Sequence, residues 1–381
     1  MPMSEHAKQR ARERIDRLAG QGLDLVAFWR AATEVLAPAV PFHLTPCFYT
    51  FDPASLLVTS HYHHGLPAIP HEWLASEYYG DDFNKLAAVA RSVRGVATLH
   101  EATGGDVDRS VRYRETMRPF GADQEVLVAL RTRSGEAWGM LGLYRERGQP
   151  QFDAEELTLL RDLSTPLAEG ARRGLLVGEA ADPEGPESPG LVVLREDWSV
   201  ESLTPGAARW LEALPNGDWD ANGKLPPVVL AVAGRALRGA TGADAPGEVA
   251  LARVLGHDGR WMVLHGAALV ADGARRVAVI IEPAHPARIT PLLMAAYGLS
   301  EREREVTRLV LQGHSTMEIA RSMVVRAQTV QQHLKAIFEK AGVHSRRELV
   351  GKIFFAHYEP RVRDNEGRAI AARPLRGEPF G

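Results

Sequence analysis

The chain has 381 residues but only one cysteine, Cys47, which excludes an intrachain disulfide framework and a cysteine-rich zinc module. Cys47 lies in a strand-like run, and we interpret it as a small buried apolar residue. No apolar run reaches the roughly 18 residues that a transmembrane helix needs. The N-terminal stretch MPMSEHAKQRARERIDRL is charged and has no apolar segment of the kind found in secretory signals. These absences predict a protein that works in the cytoplasm without contacting a membrane.

Motifs of common enzyme classes are absent as well. The sequence has no GxxxxGK[ST] phosphate-binding loop, because Gly223 and Lys224 are followed by Leu225, and it has neither GxSxG nor HExxH. No spacing of Asp, Glu or His residues favours catalysis. We therefore predict that the protein is not an enzyme and that it needs no cofactor.

The composition is that of a folded protein with an uneven charge distribution. Hydrophobic residues make up 45% of the chain and charged residues 24%, which is typical of globular proteins. Residues 288–381 contain 16 Lys and Arg against 10 Asp and Glu, a balance of +6, whereas the remaining 29 against 38 give −9. A basic C-terminal part on an acidic body is what a module that binds a polyanion requires.

Two proline-rich stretches divide the chain. The first, GEAADPEGPESPG at 178–190, and the second, EPAHPARITP at 282–291, contain three prolines each and no periodic pattern. Domains usually contain about 100–200 residues, so a chain of 381 residues is expected to form two or three of them. We predict the following segments: a sensor domain at 1–177, a linker at 178–190, a second domain at 191–283, a helical domain at 291–357 and a flexible tail at 358–381.

The first segment combines helices with strands. Apolar spacing predicts helix over Arg10–Leu36 with a break near Gly20–Gly22, and strands are predicted by the runs PCFYTF, SLLVTSHYH, EVLVALRT and AWGMLGLYRE. Asp153 and Glu156 form a capping-box pattern ahead of a leucine-rich helix. The hairpin and helix at 126–173 resemble the end of a GAF domain, and this resemblance implies an antiparallel-sheet sensor.

The middle segment is similar to a PAS domain in the order of its elements. A strand-like run, an acidic turn and a second short run precede a helix that begins at Pro205. Three further strand candidates follow, and Asp258-Gly259 marks a hairpin between two of them. Residues 212–246 show little pattern.

The C-terminal segment predicts four short helices. Ser300 and Ser315 each precede a glutamate three positions later, and Gly342 fits the left-handed position after a helix. A turn near Val324 separates a short helix from a longer one, which is the geometry that allows a helix to enter a DNA major groove. The face opposite the apolar side of the longer helix is polar, and it carries Gln328, Gln331, Gln332 and Lys335.

This segment closely resembles the LuxR-type helix-turn-helix along its whole length. Matching positions include Leu299, Arg302-Glu303, Val306, Leu309, Gly313, Glu318-Ile319-Ala320, Thr329-Val330, His333-Leu334, Ile337, Lys340, Gly342-Val343, Arg346 and Leu349-Val350. The resemblance implies a recognition helix from about Ala327 to Lys340, base contacts by Gln331, Gln332 and Lys335, and dimerisation through the last helix.

The predicted DNA-binding set extends beyond these base contacts. Glutamine can bond the N6/N7 edge of adenine, lysine can bond the acceptors of guanine, and arginines can hold phosphates. The full set is Gln328, Thr329, Gln331, Gln332, His333, Lys335, Lys340, Arg321, Arg326 and Arg346. The basic Arg347 lies beside it.

The segment departs from the family pattern at four positions. The family usually has a glycine-like residue in place of Val324 and a serine N-cap in place of Arg326. It often has Lys or Arg at one or both of the positions of Gln331 and Gln332. A missing cap costs about 1 kcal/mol of helix stability, and fewer cations weaken the salt-dependent attraction to phosphates.

Two groups of aromatic and histidine residues are candidates for ligand binding. The stretch HEWLASEYYGDDF faintly resembles the aromatic pocket segment of acyl-homoserine-lactone-binding domains, and ordinary core packing explains it equally well. The ligand-binding candidates are Tyr49, Tyr62, Trp73, Tyr78, Tyr79 and Phe83. His61, His63, His64 and His71 form a cluster without accompanying cysteines or suitable carboxylates, so we predict no metal site.

These observations predict an α+β multidomain protein in which antiparallel-sheet sensor domains precede a four-helix DNA-binding domain. The expected function is that of a one-component transcription regulator. Its expected partners are double-stranded DNA, a small-molecule effector and a second copy of the chain, and RNA polymerase is a further candidate. Two alternatives remain: a sensor that acts by protein contact alone, and an enzyme with a catalytic N-terminal domain.

Overall fold

The computed structural model describes residues 5–63, 71–175, 189–243, 248–271, 274–284 and 286–357. The chain forms two compact units, of which the first contains nearly all of two antiparallel sheets and the second contains the C-terminal helices. The predicted fold class is therefore confirmed. The predicted tail, and residues 178–188 of the predicted linker, lie outside the described residues. The predicted segment boundaries remain predictions.

The first sheet has five strands in the order β2-β1-β5-β4-β3, and all its neighbours are antiparallel. Its strands are β1 (Leu44–Phe51), β2 (Val58–Tyr62), β3 (Val96–Thr98), β4 (Ala122–Arg131) and β5 (Ala137–Glu146). The accompanying helices are α1 (Glu5–Ala19), α2 (Leu25–Leu36), α3 (His71–Tyr79), α4 (Leu86–Arg91), α5 (Leu99–Thr103) and α6 (Ala154–Gly174). Short helical turns occupy Val107–Arg109, Tyr113–Met117 and Arg118–Phe120.

One face of this sheet packs against α1, α2 and α6. Because side chains alternate along a strand, Val126 and Val128 face these helices, whereas Leu127 and Ala129 face the opposite side. The predicted capping box of α6 is present: the Asp153 carboxylate accepts from two backbone N–H groups, and Glu156 accepts from the Asp153 N–H at 3.0 Å.

The second sheet also has five strands, in the order β7-β6-β10-β9-β8. Its strands are β6 (Gly190–Leu194), β7 (Val200–Leu203), β8 (Leu251–Leu255), β9 (Trp261–Ala271) and β10 (Ala274–Pro283). The helices are α7 (Ala207–Ala213), α8 (Trp219–Asn222) and α9 (Pro227–Ala240). Helix α9 lies in the stretch where the sequence shows little pattern. All of its residues from Pro227 to Leu237 are buried, and its charged residues are limited to Arg235 and Arg238, so few polar positions mark a helical period.

The two sheets share one hydrophobic core, because α9 packs against α3 as well as against the second sheet. Gly234 of α9 allows the closest approach: a Cβ placed on it would lie 2.3 Å from the Ala75 carbonyl oxygen of α3. A partly buried ion pair between the end of β1 and strand β8 also joins the two sheets. The Asp52 carboxylate accepts from the Arg253 guanidinium at 2.6 and 2.9 Å and from the Arg253 backbone N–H at 2.9 Å.

The second unit contains five helices in its described part. They are α10 (Pro286–Ala296), α11 (Glu301–Leu311), α12 (Thr316–Ser322), α13 (Ala327–Ala341) and α14 (Arg346–His357). The four helices from α11 to α14 agree with the sequence prediction. Helix α10 does not, since it begins within the proline-rich stretch and includes Pro291. Among the helices of the described ranges, none is both long enough and apolar enough to cross a membrane.

Candidate functional site

Capping features mark the start of α12 and the end of α13 in the second unit. The hydroxyl of Ser315 accepts from the Glu318 N–H at 3.3 Å, and Glu318 accepts from the Ser315 N–H at 2.6 Å, so α12 begins with a capping box. Helix α13 ends at Gly342, whose φ of +62° is the left-handed conformation that glycine favours. Both features agree with the prediction from sequence.

The turn between α12 and α13 carries backbone strain. Val324 has a φ of +54°, although it is β-branched, and its side chain is 89% exposed. Arg326 is the N-cap of α13, and its side chain makes no capping hydrogen bond. The family's glycine-like residue and serine would relieve the strain and cap the helix, respectively, so both departures noted in the sequence have a structural cost.

Helix α13 presents a polar face to solvent. Gln328, Gln331, Gln332 and Lys335 are all exposed, and we call these four residues the polar face of α13. On the opposite side, the buried residues Val330, Leu334, Ile337 and Ala341 pack into the core of the unit. The polar face is therefore held by a packed helix and has no contact with that core.

Two further predicted DNA-binding residues of α13 flank this face. Thr329 and His333 are half-buried, one turn apart on the same side of the helix. They lie at the boundary between the exposed face and the core, where part of each side chain remains accessible.

The predicted phosphate-binding cations differ in their surroundings. Arg321 and Arg326 are exposed, and within the described residues neither forms a salt bridge. By contrast, Lys340 donates to the Glu303 carboxylate at 2.5 Å, and Arg346 donates to the backbone carbonyl of His314. Lys340 thus connects α13 to α11, and Arg346 connects α14 to the loop before α12, while Arg321 and Arg326 remain open to a polyanion.

The Lys340–Glu303 pair is part of the structural frame of the domain. Burial raises the pKa of Glu303, but hydrogen bonds from Lys340 and from the Ser300 N–H outweigh it and lower the pKa overall. The carboxylate is therefore held in its charged form between α11 and α13.

A small cavity of about 60 Å³ lies in the first unit, on the face of the first sheet that points away from α1, α2 and α6. Its walls come from β1, β4, β5, α3 and the helical turns before β4. They are formed by Leu44, Cys47, Tyr49, Trp73, Arg112, Thr116, Met117, Phe120, Ala122, Glu125 and Tyr144. Most of this lining is apolar, as is typical of small-molecule sites.

A buried ion pair forms the charged wall of the cavity. The Arg112 Nη2 donates to the Glu125 carboxylate at 2.6 Å, and both side chains are almost fully buried. The Arg112 Nε is buried and has no hydrogen-bond partner among the described residues. Burial raises the pKa of Glu125, and the charge of Arg112 opposes this shift.

A second carboxylate lies near Arg112. The Glu77 side chain accepts from the backbone N–H of Leu86 at 2.5 Å. Burial raises the pKa of Glu77 from 4.5 to about 7, although the charges of Arg112 and Lys85 act in the opposite direction. Glu77 therefore changes its charge near neutral pH.

The thiol of Cys47 contributes to the cavity as a neutral group. Burial raises its pKa to about 12, although hydrogen bonds with Tyr49 and Tyr144 favour the thiolate. Cys47 is buried, in agreement with its interpretation as a small apolar residue.

The cavity brings together only two of the predicted ligand-binding residues, Tyr49 and Trp73. Tyr62 packs against the core on the opposite face of the sheet. The Tyr78 hydroxyl donates to the Leu56 carbonyl at 3.0 Å and accepts from the Val58 N–H at 2.9 Å. Tyr78 therefore has a structural role.

The other two aromatic candidates also have partners outside the cavity. Tyr79 packs edge-on against Trp198, and its hydroxyl accepts from Arg275 at 2.7 Å. Phe83 lies beneath the guanidinium of Arg109 at 4.8 Å. Sequence patterns gave no signal for Arg112, Glu125 or Tyr144, because these lining residues come from elements that meet only in the folded chain.

The histidine cluster is only partly described. The rings of His61 and His63 stack at 5.1 Å, and burial lowers the pKa of His61 to about 4. Burial also lowers the pKa of His63, so both rings are neutral at physiological pH. His64 and the side chain of His71 lie outside the described residues. Among the residues that are described, no group of three or more His, Cys, Asp or Glu has a metal-binding arrangement.

Comparison with known proteins identifies the C-terminal domain. Residues 298–352 match the family model GerE, described as bacterial regulatory proteins of the luxR family. This match confirms the prediction of a LuxR-type helix-turn-helix. No curated protein matches the chain.

Several solved structures share limited similarity with the chain. A phycoerythrobilin-bound GAF domain from a cyanobacterial phytochrome is 18% identical, with a TM-score of 0.33, over 46% of this chain and 98% of that one. The VqsR LBD domain from Pseudomonas aeruginosa is 20% identical, with a TM-score of 0.29, over 44% and 94%. SdiA from Escherichia coli is 12% identical, with a TM-score of 0.30, over 92% and 96%. The PAS-like character of the middle segment remains a prediction.

Proposed function

Because residues 298–352 form a LuxR-family helix-turn-helix domain, we propose that the protein is a cytoplasmic one-component transcription regulator. In this proposal the second unit binds double-stranded DNA, and the first unit binds a small molecule that alters the affinity for DNA. The observation that carries it is the polar face of α13, which is exposed on a helix whose other side is buried.

We propose direct base contacts by Gln331, Gln332 and Lys335 within the major groove. Glutamine can form two hydrogen bonds with adenine, and lysine can bond the O6 and N7 acceptors of guanine. Arg321 and Arg326 would contact phosphates, which hold the domain in register without specifying sequence. The intramolecular bonds of Lys340 and Arg346 favour a structural role for these two residues.

Regulation in this proposal acts through the equilibrium between DNA-competent and DNA-incompetent forms. A ligand can shift that equilibrium only through a difference in its affinity for the two forms. The cavity beside Arg112 is the proposed ligand site, since it combines an apolar lining with a few buried polar groups.

The proposal also includes a homodimer that binds paired half-sites. Helix-turn-helix proteins commonly bind DNA as dimers whose two-fold symmetry matches a palindromic site. Helix α14 would form the dimer contact, as the family resemblance implies.

The first test is the effect of the polar face on DNA affinity. A binding site is first selected from random or genomic DNA with the purified protein, and fluorescence anisotropy then gives the Kd. We expect Gln332→Ala and Lys335→Ala each to raise the Kd about 5- to 150-fold, which corresponds to roughly 1–3 kcal/mol per base contact.

Matched controls separate base contacts from general effects. Gln312→Ala changes an exposed glutamine at the end of α11, and Arg161→Ala removes an exposed cation from the first unit. Neither control should alter the Kd more than twofold or so. Unchanged binding by both α13 variants would show that the helix assignment is wrong. A weak dependence of Kd on salt would argue for the alternative of a protein-contact module.

A further inference from the structure

We propose that the cavity of the first unit selects a compact, uncharged ligand with an acceptor oxygen, and that the Arg112 guanidinium donates a hydrogen bond to that oxygen. This inference rests on the proposed sensor function, because it specifies the ligand chemistry of the same site. Three observations carry it: the buried Nε of Arg112 has no hydrogen-bond partner among the described residues, the charge of Arg112 is balanced by carboxylates, and the cavity is small.

The unused donor belongs to Arg112, which is only 7% exposed and lines the cavity. Of its three guanidinium nitrogens, only Nη2 has a hydrogen-bond partner within the described part of the chain. A buried donor without a partner is unfavourable, and native proteins seldom leave one unless a water, ion or ligand completes it. An acceptor atom of a ligand in the cavity would meet this need.

The charge of Arg112 is already balanced by acidic groups. Glu125 forms an ion pair with it, and Glu77 lies within electrostatic reach. The Asp82 carboxylate accepts from the Arg112 backbone N–H at 2.8 Å and from Ser110 at 3.1 Å. Lys85 is the other cation near Glu77. Because the charge of Arg112 is already neutralised, an anionic ligand would lose its hydration without gaining a free counter-charge, a cost that a neutral carbonyl does not carry.

The volume restricts the size of the bound group. The cavity encloses about 60 Å³, well below the roughly 300–1,000 Å³ of ordinary ligand pockets. Leu44, Met117 and Phe120 line it beside Arg112, so the group next to the acceptor must be small and apolar. A short ketone fits this description.

Ligand-observed saturation-transfer NMR on the full-length protein tests the proposal. The probes are cyclopentanone, a neutral acceptor, and isobutyrate, an anion with the same number of non-hydrogen atoms. We expect saturable binding of cyclopentanone and at least tenfold weaker binding of isobutyrate. Equal binding of the two probes, or no saturable binding of cyclopentanone, would overturn the proposal.

Two variants locate the binding site. Arg112→Lys keeps a cation beside Glu125 but removes the guanidinium fork, and we expect it to weaken cyclopentanone binding about tenfold. Thr116 is half-buried and lines the cavity, so the larger side chain of Thr116→Phe should fill the cavity and abolish cyclopentanone binding. The matched control is Arg109→Lys, an exposed position of the same segment outside the cavity, which should bind cyclopentanone like the wild type. Thermal melting confirms that each variant is folded, and unchanged binding by folded Arg112→Lys overturns the proposal.

Parallel DNA-binding measurements distinguish this inference from the proposed function. If cyclopentanone binds but the Kd for DNA does not respond to any occupant of the cavity, the ligand class is supported and the sensor function fails. If the Kd responds to isobutyrate and not to cyclopentanone, the sensor function is supported and the ligand class is overturned.

Discussion

Val324 adopts a strained backbone conformation in the turn between α12 and α13. A β-branched side chain at a φ of +54° costs roughly 1–3 kcal/mol, and its exposed position offers no packing in return. We expect Val324→Gly to stabilise the second unit by about 1 kcal/mol, after the greater entropy of glycine in the unfolded chain is included. Amide hydrogen exchange of α12 and α13 measures this change.

The neighbouring valine is the control for this prediction. Val325 is also partly exposed, but it is not among the residues with positive φ. Val325→Gly should therefore destabilise the same helices, because it adds unfolded-state entropy without relieving strain. Faster exchange in both variants would contradict the strain at Val324.

Glu77 predicts a pH dependence of stability. Because burial raises its pKa from 4.5 in the unfolded chain to about 7, the folded state binds more protons than the unfolded state between these values. The contribution of Glu77 to stability is therefore fully present below pH 4.5 and is lost as the pH rises through about 7. The total loss is about 3 kcal/mol at one pKa unit per 1.36 kcal/mol.

A glutamine substitution isolates this contribution. We expect Glu77→Gln to match the wild type near pH 4.5 and to be about 3 kcal/mol more stable than it at pH 8, as measured by urea unfolding of the first unit. Glu115→Gln, at an exposed position, is the control. A constant difference between Glu77→Gln and wild type across this pH range would show that Glu77 is not the titrating group.

At the scale of elements, the contact between α3 and α9 depends on a glycine. A Cβ at position 234 would lie 2.3 Å from the Ala75 carbonyl oxygen, which is a backbone atom and cannot rotate away. We expect Gly234→Ala to destabilise the first unit by about 1–3 kcal/mol despite the higher helix propensity of alanine. Differential scanning calorimetry measures the resulting decrease in the melting temperature of the first unit.

Gly239, an exposed residue of the same helix, provides the control. Gly239→Ala should be neutral or stabilising, because only helix propensity changes there. If the two alanine variants melt at the same temperature, the two helices do not approach each other as closely as the structure shows.

Elements that begin with a capping motif can be predicted from the sequence. The capping boxes at Asp153, Ser300 and Ser315 were predicted correctly, because each is formed by residues three positions apart. Helix α9 could not be predicted. Most of its residues are apolar and buried, and its two arginines, Arg235 and Arg238, are too few to mark a helical period clearly.

The two sites differ in how far the sequence predicts them. The polar face of α13 follows from helical spacing within one segment, and the family resemblance supplies its role. The cavity residues Arg112, Glu125 and Tyr144 come from a helical turn and two adjacent strands, and only the sheet register places Glu125 opposite Tyr144. Aromatic character alone predicts Tyr49 and Trp73 as cavity residues, but it does not separate them from Tyr78, whose hydroxyl has a structural role.

At the scale of the whole molecule, the two sheets fold as one unit. The face of the first sheet that carries Leu127 and Met140 belongs to the same core as α9 and the second sheet. We expect a fragment of residues 1–177 to expose this apolar face, to bind the dye ANS and to lack a native near-UV circular dichroism spectrum. A fragment of residues 1–282 should have the native spectrum, and native behaviour of the shorter fragment would contradict the shared core.

The shared core also imposes an order on biosynthesis. When the ribosome has released residue 177, the first sheet is complete in sequence, but α9 and the second sheet have not yet emerged. At about 5–20 residues per second, the roughly 100 residues up to β10 take on the order of 5–20 seconds to appear. During this interval the nascent chain presents an uncovered apolar surface, which makes it a natural client for ribosome-associated chaperones.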